Sequence, residues 1–253
     1  MTAIPLQTTV TGSGPGLVLA HGASGSIAAN FGELIPVLAE THTVVASDYP
    51  DDDTALTHDG LADALVAAAV EAGVETFTVI GYSLGTTMAV RAAVRHPDRV
   101  RGLVLAAGFA KADNRTRHIV RLWQELLAAG ENTAFSRLAA TVAFSTSYLN
   151  SLSAEAVDEF VRAGATTIPG GTVQQARLVE TVDTTGDLGR LTVPTLVVNA
   201  TEDLLVDASN SRFLADAIPG AEYTEIAAGH VLMAEQPEQW RKTVEEFLVR
   251  HRL

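Results

Sequence analysis

β-Branched or apolar residues fall in short runs along this chain, at residues 17–20, 43–46, 77–80, 100–106 and 195–199, with a weaker run at 223–226. The first five are continuous rather than alternating, which is the pattern of strands covered on both faces in a parallel sheet. Between them, apolar positions recur at helical spacing over 31–40, 59–72, 84–95, 208–217 and 237–250. Strand and helix in alternation predict an α/β fold built on a doubly wound, mostly parallel sheet.

The alternation lapses between Lys111 and Leu191. Helix-like pieces at 117–129, 133–141, 154–163 and 171–181 follow one another there with no convincing strand. They predict a helical cap over residues 111–190, inserted after the fifth strand into a core formed by 1–110 and 191–253, the two making one domain unit. Thr167-Ile168-Pro169-Gly170-Gly171 is its clearest turn signal. The N-terminal stretch is short, so the first strands of the sheet are expected to shrink to a hairpin or less.

Composition narrows the function. With 253 residues and 47% apolar residues, the chain can bury a large core. Its 30 acidic residues against 17 Lys and Arg give a net charge of −13, which argues against nucleic acid and anionic membrane surfaces as partners. The absence of cysteine excludes disulfides and a thiolate nucleophile. MTAIPLQTTV has neither a basic n-region nor an apolar h-region, and no run approaches a bilayer span, so a soluble, cytoplasmic protein is expected.

One stretch carries chemistry: Gly81-Tyr82-Ser83-Leu84-Gly85, at the corner between the strand at 77–80 and the helix at 84–95. A serine at so sharp a turn is forced into strained backbone, and side chains two positions away would collide with strand and helix. Glycines at both places remove the collision and leave the hydroxyl clear at the carboxyl edge of the sheet. The first N–H groups of the new helix would point at whatever the serine attacks. Further along, Gly229-His230 follows the last strand, and Glu202 and Asp203 follow the strand at 195–199.

With that motif in that context, the chain resembles the α/β-hydrolase fold family over nearly all its length except the cap. The resemblance implies a nucleophile, an acid and a histidine in chain order, each on a loop after a strand. It assigns these roles to Ser83, Asp203 and His230, with Glu202 as the second choice for the acid. It places the oxyanion donors at the N–H groups of Ala23, in His21-Gly22-Ala23, and Leu84, with His21 structural. Ser24, Tyr82, Trp123 and Phe144 are candidates for contact with substrate, and Ser26 lies close by. The cap's large apolar residues (Phe109, Trp123, Leu126, Phe135, Phe144, Tyr148 and Phe160) favour a largely apolar small-molecule substrate.

The implied reaction is hydrolysis of a carboxylic ester, lactone or thioester through an acyl-enzyme, with no metal or organic cofactor required. The same triad would also serve C–C bond hydrolysis, perhydrolysis or a lyase reaction, and a non-catalytic receptor is a rival of another class. Ser83 stands where haloalkane dehalogenases carry an aspartate. Where many relatives have an Arg-Gly-x-Gly loop, this chain has Ser47-Asp48-Tyr49-Pro50-Asp51-Asp52-Asp53, read as a solvated acidic loop and not a metal site. The glycine cluster at 12–16 precedes a strand and opens no helix, unlike a dinucleotide fingerprint. The remaining histidines lack metal-ligand spacing.

Overall fold

In the computed structural model, residues 4–253 are described; the first three residues, part of the stretch inspected above for a leader, lie outside them. Seven strands form one sheet in the order β1-β3-β2-β4-β5-β6-β7. They are β1 (Gln7–Gly12), β2 (Gly16–Ala20), β3 (Thr43–Asp48), β4 (Phe77–Tyr82), β5 (Val100–Ala106), β6 (Thr195–Ala200) and β7 (Glu222–Ile226). All neighbours are parallel except β1, which runs antiparallel to β3.

The continuous apolar runs follow from two covers. Within β2, Leu17 and Leu19 join the cluster on one face, packed with Phe31, Leu38, Trp240 and Phe247. Val18 and Ala20 join the other, with Leu61, Leu65, Met88 and Leu214. Both faces of a central strand are therefore apolar, and periodicity of two disappears from the sequence. Helices α1 (Ile27–Phe31), α2 (Ile35–Leu38), α11 (Leu232–Glu235) and α12 (Pro237–His251) lie on the first side. Helices α3 (His58–Glu71), α4 (Leu84–Arg95) and α10 (Ala208–Ala217) lie on the second.

One departure from the sequence reading concerns the amino-terminal half: the region at 31–40 forms not one helix but α1 and α2, with Gly32 and Pro36 at the break. The amino-terminal stretch contributes the single strand β1, less than a hairpin: it pairs β3, Gln7 opposite Asp48, and all six of its residues are exposed. An edge strand without a buried face leaves no apolar run to read.

Between β5 and β6 stand five α-helices, α5 (Asn114–Ala128), α6 (Asn132–Ala143), α7 (Thr146–Ser151), α8 (Ala154–Thr166) and α9 (Thr172–Thr181), followed by a 3-10 turn at Leu188–Arg190. Their two ends meet at a neck. Lys111 bridges Asp183, the Lys111 ammonium lies 2.7 Å from the Asp183 carboxylate, and the Thr184 N–H donates to the Ala110 carbonyl. These contacts tie residues 110–111 to 183–184, within the span expected for the cap. Just past them Asp187 pairs with Arg91 of α4 at 2.6 Å.

The sheet order fixes where a site can form. The chain leaves β2 toward β3 on one side, while β4 lies on the other, with Ala20 opposite Gly81. That reversal opens a crevice past the carboxyl ends of β2 and β4.

Candidate active site

Ser83 occupies the corner between β4 and α4 with φ 52° and ψ −119°, a region that costs a non-glycine residue on the order of 1–3 kcal/mol. The surroundings hold it there. Its N–H donates to the Ala106 carbonyl at 2.9 Å, and its own carbonyl accepts from Thr86 N–H and Thr86 Oγ1. The flanking glycines are required by close approach. A Cβ at Gly81 would stand 2.5 Å from the Gly85 carbonyl oxygen, and one at Gly85 would stand 1.9 Å from that of Ala20.

Beside this corner, His21-Gly22-Ala23 leaves β2. The Tyr49 backbone N–H donates to His21 Nε2 at 3.1 Å, so the ring carries its proton on Nδ1 and donates it to the Gly22 carbonyl at 2.8 Å. Burial lowers the His21 pKa to about 4, against the weaker opposing pull of that carbonyl and Asp48. A neutral ring thus turns the Gly22 carbonyl inward. In a trans peptide the Ala23 N–H then points the opposite way. No described residue accepts from Ala23 N–H. Leu84 opens α4, so its N–H has no carbonyl one turn back to donate to.

The loops after β6 and β7 complete the group. Asp203 Oδ1 accepts from the backbone N–H groups of Leu205 and Val206, both at 2.8 Å, while its Oδ2 lies 2.6 Å from His230 Nδ1. The other ring nitrogen of His230, Nε2, lies 2.9 Å from Ser83 Oγ. The acceptor carboxylate assigns the imidazole proton to Nδ1 and frees Nε2 to accept from the serine hydroxyl. All three residues are buried. Glu202, the alternative acid, is exposed and instead accepts from Ser147 Oγ.

Tyr82 and Glu235 hold the histidine loop. The Tyr82 hydroxyl donates to the His230 carbonyl at 3.1 Å, and burial together with the Asp203 charge pushes its pKa up. With its hydroxyl so committed, Tyr82 offers the cavity its ring. Glu235 Oε1 accepts from the N–H groups of Gly229 and Ser145, and its Oε2 from Ser145 Oγ. Gly229 approaches the cap so closely that a Cβ there would stand 2.4 Å from Ser145 N. Nothing local in the sequence signals this bridge, because Ser145 lies 90 residues away.

Above Ser83 and His230 the cap encloses a cavity of about 770 Å³. Phe109, Trp123, Phe135, Phe144 and Phe160 line it, whereas Leu126 and Tyr148 do not; Tyr148 stacks behind Phe144. Ser24 and Ser26 also border it, with Ser26 Oγ capping α1. Leu205 and Val206, which no motif announced, form part of its wall. Among the described residues no Asp, Glu, Lys or Arg lines it. Among the described residues no cluster of His, Asp and Glu is arranged to hold a metal, and no helix is long and apolar enough to cross a membrane.

Known proteins resemble the chain in sequence and in fold. A family model described as alpha/beta hydrolase fold matches residues 15–237. Pyrrolizixenacetamide deacetylase of Xenorhabdus hominickii is 32% identical over 248 residues, covering 95% of this chain and 93% of that protein. Among solved structures, MGS-M2, an alpha/beta hydrolase enzyme from a Medee basin deep-sea metagenome library, superposes with a TM-score of 0.88 at 20% identity, covering 96% of this chain and 94% of the other. The enol-lactonase from Burkholderia xenovorans LB400 superposes with a TM-score of 0.86 at 20% identity, covering 98% and 99%. At such identities the two structures speak for the fold alone.

Proposed function

The chain belongs to the alpha/beta hydrolase fold family, and from that premise we propose that it is a serine hydrolase acting on an uncharged, largely apolar carboxylic ester, lactone or thioester through an acyl-enzyme on Ser83. One observation carries the reading: a buried serine hydroxyl 2.9 Å from an imidazole nitrogen whose other nitrogen lies 2.6 Å from a buried carboxylate.

In the first half-reaction Ser83 Oγ bonds to the substrate carbonyl carbon while its proton passes to His230 Nε2. The carbonyl oxygen becomes an oxyanion, met by the N–H groups of Ala23 and Leu84. His230 then gives its proton to the leaving oxygen or sulfur as that bond breaks. Asp203 holds the imidazole in the required tautomer and steadies the imidazolium. Water enters next, surrenders a proton to His230, and its oxygen bonds to the acyl carbon. Collapse of this second oxyanion releases the acid and returns the proton to Ser83. Each oxyanion donor contributes on the order of 10²–10³ in rate.

The cavity argues for the substrate class. A wall without charged side chains offers a charged acyl or alcohol group no compensation for its lost hydration. A second reading, amide cleavage, is favoured by the deacetylase relative; it uses the same steps, with His230 protonating a leaving nitrogen.

A fluorophosphonate probe followed by intact mass and peptide mapping tests the nucleophile. One adduct on Ser83, absent in Ser83→Ala and slowed at least a hundredfold in His230→Ala, is expected. A folded wild-type protein that takes up no probe and turns over none of a panel of short esters, lactones, thioesters and acetamides would overturn the reading.

A further inference from the structure

We propose that Gln175, on cap helix α9, is a positioning residue for the oxyanion hole: it locks the loop that presents the Ala23 N–H, so that the cap completes the catalytic site as well as enclosing substrate. This inference rests on the serine-hydrolase reading above.

The loop after β2 is held at each amide next to Ala23. On one side, Gly22 N–H donates to Asn30 Oδ1 at 3.0 Å, within the core. On the other, Ser24 N–H donates to Gln175 Oε1 at 2.8 Å, across 151 residues of chain. Ala23 N–H lies between these two anchored amides. Ser24 itself has φ 58°, the left-handed region that a serine enters at a cost. Only one of the three amides is anchored from outside the core, and its anchor is the cap's.

Gln175 does not line the cavity, so it has no direct contact with a substrate seated there. It is nonetheless buried, at 2% exposure, where a long polar side chain is retained only if its hydrogen bonds are made. Neighbouring residues make the same connection. Thr172 Oγ1 reaches Ser24 Oγ at 3.2 Å, and Gly171 N–H reaches Asp51 Oδ1 at 3.4 Å. The amino end of α9 is thus fastened to the two loops that follow β2 and β3. Without the Gln175 acceptor, the half-buried Ser24 N–H would lose its partner, and its peptide plane would be free to turn toward water or toward a less strained φ. Rotation there would carry the adjoining Ala23 N–H away from the position where the oxyanion forms. That loss is confined to the transition state, since a ground-state carbonyl draws little from the donor.

Gln175→Met, close in volume and without an acceptor at the right place, and Gln175→Asn, polar but one methylene short, test this. For hydrolysis of p-nitrophenyl butyrate, both are expected to lose about tenfold or more in kcat with KM within about twofold of wild type. Inhibition by an alkylboronic acid, which forms a tetrahedral adduct with the serine, should weaken by a matching factor. Binding of the product acid should not. If both variants keep kcat within about twofold of wild type, or lose efficiency only through KM, the inference is wrong. A variant too unstable to assay, judged by its melting curve, is replaced by the other. Wild-type protein inert to ester and fluorophosphonate alike would remove the serine-hydrolase reading and this inference with it, whereas active wild type with unimpaired variants removes the inference alone.

Discussion

Two helices, α4 in the core and α8 in the cap, are nearly equal in length and differ in almost everything else. Nine of the twelve residues of α4 are buried, and its first turn abuts the backbone of β2 and β4. Of the thirteen in α8, only Val161 is buried. The core sets its chemistry by backbone pressed on backbone, where a single added methyl has nowhere to go. The cap is joined to the core by dispersed contacts, among them the side chains of Gln175, Thr172 and Glu235 and the Lys111–Asp183 neck, and presents rings to a cavity. Ser83 is thereby held by close-packed backbone, while the cavity wall above it is built largely of side chains.

Four measurements bear on that contrast. The largest effect belongs to Gly85→Ala. With the new Cβ 1.9 Å from the Ala20 carbonyl oxygen, either β2 or α4 must shift, and a loss on the order of 4 kcal/mol or outright failure to fold is expected in urea denaturation. A soluble, fully active Gly85→Ala protein would show the corner to be looser than described.

The second probes the core through pH. His21 has a pKa lowered by burial to about 4 in the folded protein, against 6.5 in the unfolded chain. Above pH 6.5 both states hold it neutral and its contribution is intact. As pH falls from 6.5 toward 4, only the unfolded chain takes up the proton, so stability declines, by about 3 kcal/mol from this residue at the low end. Urea midpoints measured from pH 7.5 to 4.5 should fall with acid, while the NMR shifts of the His21 ring stay at neutral values. A ring that titrates near 6.5 in the folded protein would refute the buried, neutral assignment.

Glu235→Ala breaks the joint between cap and histidine loop. It leaves Gly229 and Ser145 N–H groups without their acceptor, and kcat is expected to fall about tenfold with a melting temperature lowered by a few degrees. An unchanged kcat would show that Tyr82 and Asp203 suffice to place His230. Phe160→Ala should do least. At 45% exposure the ring rests on Phe144 at the cavity wall, so stability should stay within about 0.5 kcal/mol, while KM for bulky esters rises about threefold and that for acetates does not. A large stability loss would mean the cap is packed more like the core than α8 suggests.

The same contrast governs what the amino-acid sequence discloses. β2, β4, β5 and β6 are buried on both faces and announce themselves as apolar runs, and α4 and α10 run over the residues that their periodicity predicts. Ser83 is visible because its strain demands glycines two positions away on each side, a constraint written locally. By contrast β1, exposed along its whole length, shows no apolar pattern, and α7, with no buried residue, passes unnoticed among the cap's polar positions. The hydrogen bonds from Gln175 to Ser24 and from Glu235 to Ser145 span 151 and 90 residues, and a contact between distant side chains has no local signature. For the same reason the aromatic residues of the cap could be counted in the sequence but not divided into those that border the cavity and those that stack behind them.

The two oxygens of Asp203 serve different masters, one the imidazole and the other the N–H groups of Leu205 and Val206, whose side chains border the cavity. Evolution or an engineer seeking a new specificity can therefore reshape the aromatic side of the chamber, at Trp123 or Phe160, without disturbing the hydrogen bonds that join Ser83, His230 and Asp203. Enlarging or shrinking it at 205 or 206 would move the support of Asp203 itself, so that side of the chamber is expected to diversify least.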